Sequence, residues 1–257
     1  MKPRAMIAAA LIAIAPLAHA GRSCEAKPPE AANVVRAMAL AERTAQALDA
    51  SGAEVVVLAR MGQDLSKYGQ RYSHLGLAYR DGTRWRVVHK LNHCGSARAA
   101  IYRQGLGEFF LDDLYRYEAG WVVLAPAVQA KLLPALQDNQ RLAQLHTPAY
   151  NIVAYPWSQT YQQSNQWALE TLAMTQDPAA TTRSRAQAWL QLQGYEPATL
   201  RLSALTRLGA RMTAANVAFD DHPNHKRFSD RIETVTVDSV FAWLQRSGLG
   251  STEQVIR

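Results

Sequence analysis

Residues 71–91 read RYSHLGLAYR-DG-TRWRVVHKL, and this stretch decides the fold. Two strand-like runs, 71–80 and 83–91, flank Asp81-Gly82. Asp-Gly is a favoured two-residue hairpin loop, because type I′ geometry needs positive φ at both central positions. That loop predicts pairing of Arg80 with Thr83 and places His74 directly opposite His89. Opposed side chains in a ladder have Cβ atoms about 5 Å apart. Gly76, Ala78, Trp85 and Val87 share the histidines' face, and the two small residues leave room for another element. A slip of one residue would send the imidazoles to opposite faces.

Working outward, residues 30–49 carry apolar side chains at helical spacing after Pro28-Pro29, and Ser51-Gly52 ends that helix. Residues 54–59 are valine-rich and read as a strand. Residues 105–113 (GLGEFFLDD) read as a turn-rich connection and 121–125 as a further strand. Residues 127–145 read as a helix interrupted by Pro134. Residues 150–155 (YNIVAY) read as a strand, and 158–163 as a polar loop. Helices are predicted to open at Ser164 and to cover 181–193 and 198–212. A strand is expected at 233–237, then a helix capped by Asp238 and closed by Gly248. The fold class expected from this order is α+β, an antiparallel sheet packed by helices.

The first residues assign the compartment. Met1-Lys2-Pro3-Arg4 is basic, 6–17 are apolar, and Ala18-His19-Ala20 is a small-x-small cleavage site. Those three parts in that order make a secretory signal at 1–20, cleaved after Ala20. Its apolar run is shorter than the roughly 20 residues a bilayer span needs. The mature chain, 21–257, is expected to be one globular domain, periplasmic or secreted, with no transmembrane segment. Hydrophobic residues make up 48% of the sequence, enough for a sizeable core. Removing Lys2 and Arg4, with no acid in 1–20, takes the formal charge from +7 to +5. No dense Lys/Arg block stands out, so nucleic acid is not an expected partner. Weak attraction to anionic envelope polymers fits the charge.

The two cysteines, Cys24 and Cys94, can form one pairing. In an oxidising compartment a disulfide is expected, and closing so long a loop would stabilise the fold by about 2–4 kcal/mol. The competing reading makes Cys94, beside His93, a reactive thiol.

Ser164 sits at a helix start, where unpaired N–H groups and the helix dipole favour negative charge. A serine there with an imidazole beside it would follow the nucleophile–base–orienter scheme. Packing of that helix on the small patch of Gly76 and Ala78 would bring Ser164 to His74. Serine is also a favoured cap residue with no chemistry attached. A second candidate is Asp220-Asp221-His222-Pro223-Asn224-His225. Its spacing is not that of a helical zinc site and Pro223 blocks a helix, so it reads as a solvated turn. No metal or cofactor is expected, and no Gly-rich phosphate loop or Gly-x-Ser-x-Gly elbow occurs.

Ser73-His74-Leu75-Gly76, then His89, then Tyr161-Gln162-Gln163-Ser164-Asn165-Gln166-Trp167 resembles the circularly permuted papain-like fold of the NlpC-type cysteine peptidases. The whole chain resembles an exported bacterial family of unknown function, the domain of unknown function 2145. The resemblance implies a papain-like core at about 54–176 and an extension at about 181–257. It implies an amide or ester hydrolase or an acyltransferase acting on cell-wall peptides or on lipid esters. By position, residue 164 would be the nucleophile, His74 the base and His89 the third member. Tyr161 and Asn165 would assist an oxyanion or substrate. The nucleophile of that superfamily is Cys, and this chain has Ser. The alternative implied is a catalytically inactive binding or interaction module on the same scaffold.

Overall fold

A computed structural model describes residues 28–257 of the protein. The predicted leader at 1–20 and Cys24 lie outside the described residues. In chain order, helix α1 (Ala31–Ala50) leads to strand β1 (Val55–Met61). Then come β2 (His74–Asp81), β3 (Arg84–Asn92), β4 (Ala99–Gly105), α2 (Leu106–Phe110) and β5 (Arg116–Val123). Helices α3 (Pro126–Gln137), α4 (Asn139–Gln144), α5 (Ser164–Gln176) and α6 (Arg183–Leu192) follow. The chain continues through β6 (Ala198–Arg201), α7 (Ala204–Thr213), α8 (Asn224–Arg227), β7 (Arg231–Thr234), α9 (Val237–Arg246) and β8 (Gln254–Ile256).

Six strands form one antiparallel sheet in the order β4-β3-β2-β1-β5-β8, and β6 and β7 form a separate two-stranded ribbon. The expected α+β class, an antiparallel sheet packed by helices, is what the chain adopts. The central strand β1 (VVVLARM) is buried at every position. Period-2 alternation therefore divides one continuous apolar run between two cores. Val55, Val57 and Ala59 join Leu75, Leu77, Val88 and the apolar sides of α3, α5 and α9. Val56 and Leu58 join Ala78, Val87, Phe109 and α1 on the other face.

The hairpin forms with a register two residues from the expected one. Arg80 pairs with Trp85 and Asp81 with Arg84, so the loop is Gly82-Thr83. Gly82 has φ +61°, and no non-glycine among the described residues has positive φ. The loop thus follows the type II′ rule, glycine first, which spares Asp81 a left-handed backbone. An even shift keeps His74 and His89 on one face but turns their direct opposition into a diagonal one. Gly76 takes the place facing His89: a Cβ there would lie 2.5 Å from Val87 Cγ1 and 3.3 Å from His89 Cβ. The Gly76/Ala78 patch is covered by the α1/α2 layer, not by α5 as predicted.

Other expectations change for local reasons. Residues 150–155 form turns rather than a strand. Buried Asn151 accepts from Val153 N and Ala218 N, and Tyr155 N donates to Asp221, so these backbone groups never reach a ladder. Pro134 is accommodated within α3; the break falls at Asp138, whose carboxylate caps α4. The predicted helix at 198–212 divides, because 198–201 pair with β7 and Ser203 then caps α7. The turn-rich 105–113 contains α2. Thr236, not Asp238, caps α9, and Asp238 instead accepts from Arg71 N and Tyr72 N.

Residues after 181 are woven into the fold. Ala186, Leu190, Val240, Trp243 and Leu244 complete the larger core, and β8 extends the sheet beside β5. Buried Glu118 bridges Arg71 (2.5 Å) and Arg257 (2.6 Å), while Glu253 accepts from Tyr72 Oη at 2.7 Å. The Tyr72 ring lies over Gly120, where an added Cβ would stand 2.4 Å from Cζ. Gly120→Ala is therefore expected to cost about 1–3 kcal/mol by overpacking. The check is the urea midpoint, and an unchanged midpoint would contradict this placement.

Candidate functional site

Two imidazoles and an amide form a polar clasp across β2, β3 and β4. His74 Nε2 lies 2.8 Å from His89 Nδ1, and His89 Nε2 lies 2.7 Å from Gln104 Oε1. Gln104 Nε2 donates to Glu108 Oε1 at 3.0 Å. The carboxylate fixes the whole chain of donors. It can only accept, so it takes the Gln104 amide N–H and leaves Gln104 Oε1 facing His89. His89 Nε2 then carries a proton and donates, and its Nδ1 accepts from His74 Nε2–H. His74 Nδ1 is left without a proton and, among the described residues, without a hydrogen-bond partner.

Phe109 packs against both rings, with centroids 6.1 Å and 5.2 Å away. Arg60, buried beside them, donates to Phe109 O and pairs with Asp112 at 2.9 Å. Burial and the Arg60 charge hold His74 well below the usual imidazole range and lower His89 to about 4. Both rings are neutral at pH 7.

Ser164 is elsewhere. It opens α5, whose apolar side packs on the face carrying Leu75, Leu77 and Val88. His74 and His89 project from the opposite face, with Phe109. The Ser164 hydroxyl is buried and donates to Tyr150 Oη at 3.4 Å. No hydrogen bond joins it to either imidazole among the described residues. The predicted set Ser164, His74 and His89 is thus brought together only in its histidine half, because residues 74 and 75 point to opposite faces of one strand.

The tip of α5 is also sealed. Gln163, rather than Ser164, is the cap, with its Oε1 accepting from Asn165 N at 3.2 Å and Gln166 completing a capping box. Gln163 Nε2 donates to Thr234 Oγ1 and Val235 O. Asn165 Oδ1 accepts from Leu75 N at 3.1 Å, tying the helix start to β2. Tyr161 Oη donates to Asp220 at 3.3 Å. The residues expected to hold an oxyanion therefore spend their polar groups on the protein itself.

A larger polar network, not anticipated from the sequence, lies on the α5 side. Lys90 Nζ donates to Gln162 Oε1 (2.8 Å) and Thr147 O (2.7 Å), and Gln162 Nε2 donates to Glu170 at 2.6 Å. Glu170 also accepts from Arg183 Nε (2.8 Å) and Gln187 Nε2 (2.6 Å). Arg183 donates to the carbonyls of Ser158, Gln159 and Tyr161. These bonds fasten the long loop before α5 to α5 and α6. Burial, and then the Arg183 charge, lower the Lys90 ammonium to about 7, with Glu170 opposing.

The Asp220–His225 segment is a turn that leaves Asp220, Asn224 and His225 exposed, but His222 within it is buried. His222 lies between Asp221 Oδ1 (3.0 Å) and Glu233 O (3.1 Å) with its side chain fully enclosed. No group of three or more metal-ligating side chains occurs among the described residues. Two cavities stand out. One, about 490 Å³, is lined by Lys67, Tyr68, Thr199, Arg201 and Arg231. The other, about 350 Å³, lies beside Asp64, Gln70, Arg71 and Asp238. Neither cavity is lined by the histidines or by Ser164.

A family model described as an uncharacterized protein conserved in bacteria, DUF2145, matches residues 47–244. The chain belongs to the DUF2145 family. The matched span holds the clasp, the α5 tip and the buried network. No curated protein and no solved structure matches the chain.

Two outcomes follow for stability. The unfolded state protonates His89 near pH 6.5 and the folded state only near 4. The stability supplied by the neutral clasp is therefore complete above pH 6.5 and is lost as pH falls toward 4. The stability gap between wild type and His89→Gln, from urea melts, should narrow across that window; a pH-independent gap would contradict it. Glu170→Ala leaves Arg183 and Lys90 uncompensated and should cost about 3–5 kcal/mol. A loss within the range of an exposed ion pair would contradict the network.

Proposed function

We propose that the chain is an exported cell-envelope protein that binds a partner rather than hydrolysing one. The single observation that carries this reading is the sheet standing between the Ser164 hydroxyl and the two imidazoles. A general base must come within hydrogen-bond reach of the proton it removes. Here the groups sit in separate cores, and the helix tip that would hold an oxyanion is filled by Gln163. The clasp, with both rings neutral and bound, joins three strands to α2.

The permuted papain-like scaffold belongs to this reading. Its support is the order of a strand with Ser73-His74-Leu75-Gly76, a strand with His89, and a helix opening at Ser164 against the sheet. Export is supported by the basic, apolar and small-residue pattern of 1–20. The binding class is supported by the groove of Lys67, Arg201 and Arg231, whose charge suits an anionic envelope component.

Purified protein offered activated esters and amides should show no turnover that depends on Ser164. Turnover lost in both Ser164→Ala and His74→Ala, with the fold intact, would establish the hydrolase reading instead. Protein recovered from the envelope fraction should begin at Gly21. Its denatured, unreduced form should show no free thiol if Cys24 and Cys94 are paired, whereas two titratable thiols would remove the disulfide.

A further inference from the structure

Helix α7 is amphipathic in the inverted sense. Leu205, Leu208 and Met212 recur at i, i+3 and i+7, which makes one stripe. They are 80%, 57% and 76% exposed, and α7 has no buried residue. The opposite side of the helix meets the body through Arg207, which donates to Arg227 O and Ser229 O. Between those two carbonyls the chain carries Phe228, 77% exposed. Four large apolar side chains thus face solvent on one small subdomain. Its own apolar cluster consists of Leu200, Leu202, Phe219 and Ile232, so the exposed four lie outside it.

The segments beside α7 carry cations without a carboxylate partner. Arg201 and Arg231 are direct cross-strand partners in the ribbon, an arrangement that like charge disfavours. With Lys67 they line the groove of about 490 Å³. Burial, and then the nearby Arg211 and Arg227 guanidiniums, lower the pKa of Arg207. Among the described residues, no carboxylate lies within ion-pair distance of Lys67, Arg201, Arg207, Arg211, Arg227 or Arg231. Asp230, exposed just before β7, pairs with none of them.

We infer that this subdomain docks on the surface of an anionic phospholipid bilayer, with the α7 stripe and Phe228 entering the headgroup boundary and the arginines on the phosphates. An outward apolar stripe alone would fit many occupants. Stripe and unpaired cations together match a surface that is apolar beneath an anionic layer. The inference rests on the binding-module reading and names the partner. It is independent of any turnover at Ser164, so an esterase result and a vesicle result fail separately.

The test is co-sedimentation of the full mature chain with vesicles of phosphatidylcholine alone or mixed in equal parts with phosphatidylglycerol. The chain should pellet with the mixed vesicles, not with phosphatidylcholine alone, and high salt should release it. Arg201→Gln with Arg231→Gln should weaken binding roughly thirtyfold, at about 1 kcal/mol per basic residue near such a surface. Leu205→Ser, Leu208→Ser and Met212→Ser together should abolish it while leaving the melting temperature unchanged, since these side chains touch no core. No binding to the mixed vesicles, equal binding to both kinds, or binding indifferent to both variants would overturn the inference. So would self-association removed by the triple variant in a chain that ignores vesicles, which would make a second copy the occupant.

Discussion

The structure depends on a sheet covered on both faces. Neighbouring residues on a strand point to opposite sides, so a fully buried strand such as β1 must feed two cores at once. Every polar group on such a sheet is committed to one side and has to find its partner there. His74, His89 and Gln104 find one another and Glu108 on the α2 side. Lys90 finds Gln162 and, through it, Glu170 on the α5 side. Chemistry that needs groups from both faces cannot assemble across the sheet.

This constraint sorts the polar residues by purpose. The clasp is short, neutral and joined to three strands, so it fixes register where Gly76 has no side chain to do so. The Glu170 network is charged and deeper, and it secures a long loop that lacks regular structure. A buried carboxylate bonded to one arginine and two amides is satisfied as it stands, and altering one member exposes the rest to desolvation. The α5 tip follows the same economy, with Gln163, Asn165 and Gln166 each bonded to backbone.

Much of the sheet was legible because its signals are local. The valine run of β1 and the Gly82 turn give strands and their antiparallel pairing. The face shared by His74 and His89 was legible for the same reason, since an even register shift preserves it. The side of the sheet that α5 covers was not, because both faces of β2 are apolar or small and either could receive a helix. The strand β4 escaped notice: AAIYRQG lacks clear alternation, and with it the partner of His89, Gln104, was missed. Lys90 reads as an ordinary strand lysine until the loop bearing Gln162 is placed over it. The short β8 carries no pattern of its own and is held by pairing with β5 and by the ion pairs of Glu118.

The outward stripe of α7 turns three large apolar residues of one helix toward solvent. Val35 on α1 and Leu192 on α6 are exposed too, but three apolar residues in one stripe, on a helix with no buried residue, stand out against the packing rules that organise the two main cores. The separation of hydroxyl and imidazoles remains the central claim. The most direct measurement is the pH dependence of alkylation of a Ser164→Cys variant, read at that site by mass spectrometry. A buried thiol beside the Tyr150 hydroxyl, with no imidazole in reach, should react slowly at neutral pH and at the same rate when His74 is replaced by Ala. Rapid alkylation near pH 6 that disappears in the His74→Ala background would place the two groups together and contradict the account.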